Sequence, residues 1–135
     1  MPLTHLLDTN IASYFVRGNF PSVRRRIAAT PQDSLAVSVV TEAELLFWVL
    51  CRPGSIRTRV GVDDFLMRFP SLPWHSGAAQ SYARVRDALK RKGLALSTAD
   101  LMIAAHALAL GLTLVTHDEA FAFVDGLKTE DWTVA

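Results

Sequence analysis

Three short apolar runs, at residues 3–7, 35–39 and 112–116, each pass into a stretch with helical periodicity. Rich in leucine and β-branched residues and without polar alternation, such runs fit strands covered on both faces. Strands of this kind, separated by helices, have few solutions, and the expected one is a parallel sheet wrapped by helices. Helical patterns from about Ile11, from Ser22, and over 41–51, 56–69, 76–92 and 98–110 supply the covering layers, with a short helix over 119–124. Thr41 and Thr98 are the predicted caps of two of them, and Arg52-Pro53-Gly54, Pro70, Gly93 and Gly111 mark ends. Leu72-Pro73-Trp74 is predicted as an edge strand, because its proline cannot donate to a ladder. The fold class is therefore α/β. With 135 residues, half of them apolar, residues 1–135 are expected to form a single domain around one sheet.

The remaining composition excludes several classes. The one cysteine, Cys51, has no disulfide partner within the chain and sits in an apolar run, where a small core residue in a reducing compartment is expected. Met-Pro-Leu-Thr-His offers no basic start, and the longest apolar span, 101–115, is interrupted by His106, Gly111 and Thr113. A cytoplasmic protein that does not enter the membrane is expected. No phosphate-binding glycine loop is present, and His5, His75, His106 and His117 lack zinc-ligand spacing. Asp8-Thr9-Asn10 also lacks the second aspartate, two residues on, that an aspartyl-nucleophile phosphatase uses.

Four carboxylates fall at element junctions. Asp8 follows the first strand, Glu44 lies in the helix after the second, Asp100 opens the helix after Thr98, and Asp118 follows the strand of "TLVT". Each has a local explanation: Asp8 as a turn residue, Thr41-x-x-Glu44 as a capping box, Asp100 at the positive end of a helix, Asp118 as a cap. Collected at the carboxyl edge of a parallel sheet, they would repel and raise one another's pKa unless a cation compensated. Oxygen ligands with room for water suit Mg²⁺ or Mn²⁺, which can activate water and offset charge on a phosphodiester. With these four of the 13 acids set aside, 14 basic residues face nine acidic ones, a balance suited to a polyanion.

"LLDTNI", "VSVVTEAEL", "STADLMIAAHALALGLTLVTHDEAF" and "GLKTEDWT" together resemble the PIN-domain VapC toxins over nearly the whole chain. The resemblance implies a three-layer α/β/α sandwich with a mainly parallel central sheet and a metal-dependent endoribonuclease. It also implies a homodimer inhibited by a VapB-type antitoxin, in a higher hetero-oligomer. Asp8, Glu44, Asp100 and Asp118 then match the family's metal-site acids, with Glu42 as a competitor for the place of Glu44. Thr9, Asn10 and Thr116 match accessory polar positions, while His117 stands where such proteins often carry asparagine. The implied reaction is hydrolysis of RNA by a metal-bound water, leaving a 5′-phosphate, with tRNA, initiator tRNA included, as substrate.

Two further stretches carry expectations. Arg24, Arg25 and Arg26 offer planar guanidinium groups suited to phosphate, and so are candidates for contact with RNA. "ELLFWVLC" is apolar on every side, so its helix is either internal or covered by another chain. The resemblance favours the second, with Phe47 or Trp48 lining the antitoxin surface. Two other readings stay open on the residues. One is a PIN nuclease acting on DNA or in RNA maturation without an antitoxin; the other is a non-catalytic nucleic-acid-binding module.

Overall fold

The computed structural model describes residues 2–134. Five strands form one sheet in the order β3-β2-β1-β4-β5, with every pairing parallel. They are β1 His5–Leu7, β2 Leu35–Ser38, β3 Ser71–Leu72, β4 Thr113–Val115 and β5 Thr129–Glu130. Between them run α1 Thr9–Arg17, α2 Pro21–Ala29, α3 Val39–Cys51, α4 Ile56–Arg68, α5 Ser76–Arg91 and α6 Thr98–Leu110. A 3-10 turn, Glu119–Phe123, stands in place of the final helix expected over 119–124.

Side-chain alternation explains the layers. Leu7 pairs in register with Val37 and Val115, and all three point into one core with Ile11, Val23, Leu45 and Phe65. Leu6, Ala36 and Leu114 point to the other side, among Val85, Leu89, Ile103 and Ala104 of α5 and α6. A sheet apolar on both faces is thereby sandwiched between helices, as the α/β/α expectation required. Gly61 lets α4 lie close to α1, since a Cβ there would come 2.8 Å from Cγ1 of Val16. Among the described residues, no helix is long and apolar enough to cross a membrane.

Several local expectations are corrected. The side chain of Ser38, not Thr41, caps α3, so the Thr41–Glu44 capping box is not formed. Ser97, one residue before Thr98, caps α6 by accepting from the Asp100 amide. In each case the hydroxyl-bearing residue just before the first helical turn takes the cap, where the backbone is not yet helical. The edge strand is Ser71–Leu72, ending before Pro73, as the missing donor demands. Strand β5 is unforeseen. Cys51 is exposed, not in the core.

Candidate metal centre

The parallel sheet delivers the carboxyl ends of β1, β2 and β4 to one edge, and three of the four acids arrive there on short leads. Asp8 leaves β1 directly and caps α1, its Oδ1 accepting from the Ile11 amide at 2.8 Å. It is only 4% exposed. Asp118 follows β4 and caps the 3-10 turn through the Ala120 amide, with its own amide donating to Thr116 Oγ1 at 3.1 Å. Asp100 enters from the first turn of α6. Glu44 reaches the group from the second turn of α3, where its Oε1 accepts from Thr9 Oγ1 at 2.6 Å. Thr9 in turn lies 3.0 Å from the hydroxyl of buried Thr41, so a Thr41–Thr9–Glu44 chain fixes this carboxylate.

The electrostatics match a shared site. Burial pushes the Asp8 carboxyl up from 3.8 to about 6, with the charges of Asp100 and Asp118 adding to the rise. Hydrogen bonds from the Thr116 hydroxyl and the Ile11 amide hold it down against those effects. Asp100 is raised by burial, then by the charges of Asp118 and Glu44. Asp8 and Asp100 therefore each feel others of the set. Glu42 Oε1 accepts from Ser71 Oγ at 3.0 Å over β3, whereas the charge of Glu44 acts on Asp100.

The donors are oxygen only. Among the described residues, no three Asp, Glu, His or Cys side chains are grouped closely enough to hold an ion between them. An oxygen-only donor set is the kind that a hard cation such as Mg²⁺ takes, with waters completing its shell. Asp8 and Asp100 are raised first by burial and then by neighbouring carboxylates, which a bound cation would offset.

The accessory residues fall around this centre. Thr9 and Thr116 fix carboxylates as described, and exposed Asn10 lines a small cavity with Ser13, Arg17, Glu44, Phe47 and Trp48. His117, between Thr116 and Asp118, is held by Asp131 Oδ2 at 2.9 Å and Thr133 Oγ1 at 3.0 Å, and the bond to Asp131 raises its pKa. Neither Asp131 nor Thr133 was anticipated, and the closing "EDWT" carried the only signal for them. The other histidines are structural: His106 is buried against Ser38, His75 caps α5, and His5 meets Glu130.

The arginines of α2 are all exposed but unequal. Arg24 donates to the Phe15 carbonyl and lies over its ring, while Arg26 lies over Trp132 and 3.6 Å from Glu130. Arg25 appears in no ion pair among the described residues. On α3, Leu45 is buried and Trp48 and Val49 pack partly against the core. Leu46, Phe47 and Leu50 are exposed, Phe47 by 67%, so the helix is not internal.

Comparison with known proteins agrees with the geometry. The family model described as "PIN domain" matches residues 5–127. The tRNA(fMet)-specific endonuclease VapC of Shigella flexneri is 33% identical over 132 residues, covering 97% of this chain and 99% of its own. The structure of VapBC2 from Rickettsia felis bound to a promoter DNA fragment is similar at TM-score 0.84 and 28% identity, covering 95% and 98% of the two chains. FitAcB from Neisseria gonorrhoeae is similar at TM-score 0.87 and 26% identity, covering 98% and 100%.

Proposed function

The chain belongs to the PIN-domain family and, within it, to the VapC toxin ribonucleases, and from that premise we propose that it is a Mg²⁺-dependent endoribonuclease of tRNA, restrained by a VapB-type antitoxin. The observation that carries the reading is Asp8, buried at a strand end with its carboxyl raised by burial and by two acidic neighbours. A buried carboxylate with acidic neighbours at the ligand-binding edge of a parallel sheet suits a bound cation. The relative named for action on tRNA(fMet) makes initiator tRNA the first substrate to test.

Asp8, Glu44, Asp100 and Asp118 would hold Mg²⁺, or Mn²⁺ in its place, directly or through waters. Such an ion would supply a water of lowered pKa and charge to offset that on the phosphodiester under attack. The chain does the rest. Thr9 and Thr116 keep Glu44 and Asp8 pointed inward by donating to them, and the exposed amide of Asn10 is available to a phosphate oxygen. The antitoxin would cover the apolar strip of α3 beside Glu44, where a basic side chain could enter the acidic site and displace the ion. A homodimer carrying antitoxin is the proposed assembly, and the cytoplasm its compartment.

Purified protein incubated with initiator tRNA and Mg²⁺ is expected to yield discrete cuts bearing 5′-phosphates. Chelation should stop the reaction, and Asp100→Asn should slow it at least about a thousandfold with an unchanged circular dichroism spectrum. Cleavage that survives both treatments would overturn the proposal.

RNA binding also makes Arg25 testable apart from its neighbours. Arg25→Gln is expected to weaken binding across sequences and to lower the slope of log Kd against log salt by about 0.7 to 0.9, one phosphate's worth. An unchanged slope would return Arg25 to the solvated surface.

A further inference from the structure

The turn between α1 and α2 holds a side chain where the backbone does not favour one. Phe20 has φ 53° and ψ 84°, and among the described residues it is the one non-glycine residue with positive φ. A bulky residue in that region is an outlier, and the following Pro21 disfavours it further. Gly18, at φ 79°, already supplies the left-handed cap of α1. Nor does Phe20 serve a core, since it is 39% exposed and belongs to neither apolar cluster.

Its ring is placed instead on other rings. The centroid lies 4.8 Å from that of Tyr14 and 5.8 Å from that of His117. Tyr14 stands one turn beyond Asn10 on α1, and His117 stands between Thr116 and Asp118. Asp131 and Thr133 both contact the imidazole at Nδ1. An arc of three rings therefore begins at the acidic centre, and Arg24 borders the same turn at Gly18.

We propose that Phe20, seated on Tyr14 and His117, is a stacking platform for an unpaired base of the RNA chain next to the phosphate that is cut. The proposal rests on the nuclease reading above. A partly exposed ring packed against His117, next in sequence to Asp118, suits a base, because every base offers a π-face while the acids reject the backbone charge unless a cation is present. Backbone strain persists where the surroundings impose it and is concentrated at functional sites. Here it sets the ring against Tyr14 and His117 rather than into the core.

Phe20→Asn removes the ring and puts a residue tolerant of positive φ in its place, while Phe20→Tyr keeps a ring. Both are made in the protein as it stands and in Asp100→Asn, which is expected to bind without cutting. Initiator tRNA irradiated on Asp100→Asn is expected to crosslink to the tryptic peptide carrying Phe20. Phe20→Asn should bind it about tenfold more weakly and cut it with raised KM, with no loss of melting temperature. Phe20→Tyr should restore both. Wild-type binding and cutting by Phe20→Asn, with crosslinks elsewhere, would overturn the platform and leave the nuclease reading standing. A melting temperature that falls in step with binding would assign Phe20 to folding and overturn it equally. Failure of the wild type to cut RNA would remove both readings.

Discussion

Asp8→Asn is expected to abolish RNA cleavage and, without divalent cations, to make the protein harder to unfold near neutral pH. The two effects have one cause. A carboxyl that titrates at 3.8 when unfolded and at about 6 when folded binds its proton more tightly in the folded state. Below 3.8 both states are protonated and the group costs nothing. Between 3.8 and about 6 the folded state holds more protons, so stability falls as pH rises through that window. Above it the full cost remains, up to about 3 kcal/mol for a displacement of that size. Asparagine carries no charge and caps a helix as well as aspartate does, so the α1 terminus keeps its bond to the Ile11 amide. Urea unfolding of both proteins across pH is the measurement. The variant's advantage should grow from acid to neutral pH and vanish below about 4. Adding Mg²⁺ should then reverse the order, because only the wild type gains from binding. A variant less stable at neutral pH, with no response to Mg²⁺ in either protein, would make Asp8 a structural cap.

The sequence made this site legible only in part. The sheet was readable because its inner strands are buried on both faces, and such strands leave unbroken apolar runs. Once they are parallel, topology brings Asp8 and Asp118 together, and no spacing in the chain could do so. Glu44 was harder, since its place three residues after Thr41 equally suggests a capping box; Ser38 takes that cap and frees Glu44 for Thr9. Strand β5 was illegible because two exposed residues carry no apolar pattern. Trp132, two residues past its end, holds it in place: the ring is buried, its Nε1 donates to Glu130, and the Trp132 carbonyl accepts from Ser22 of α2. Phe20 before a proline reads as extended backbone, so its left-handed conformation left no trace in the composition.

The apolar circumference of α3 likewise could not say which side meets solvent, and the structure turns that ambiguity into a sharp test. Leu46, Phe47 and Leu50 are exposed, the last by 76%, whereas Leu45 is buried. Ile56 and Val60 of the adjacent α4 are exposed as well. Exposed apolar side chains gathered on one helix suit a surface that another chain covers. Phe47 and Trp48 are neighbours in sequence yet differ in role, because Trp48 packs partly on the core and lies under Arg17, with 5.2 Å from guanidinium carbon to ring centroid. Phe47→Ala is therefore expected to change folding stability by less than about 0.5 kcal/mol, as surface substitutions do. It should weaken a VapB-type antitoxin by about 2 to 4 kcal/mol, roughly 30- to 1,000-fold in Kd, the scale of an aromatic anchor at an interface. Trp48→Ala should lower both, since its ring serves core and surface together. Chemical unfolding beside calorimetric titration with the antitoxin separates the cases. If Phe47→Ala leaves Kd unchanged while Trp48→Ala lowers stability alone, the antitoxin binds elsewhere and the strip on α3 belongs to the contact between two copies of the toxin.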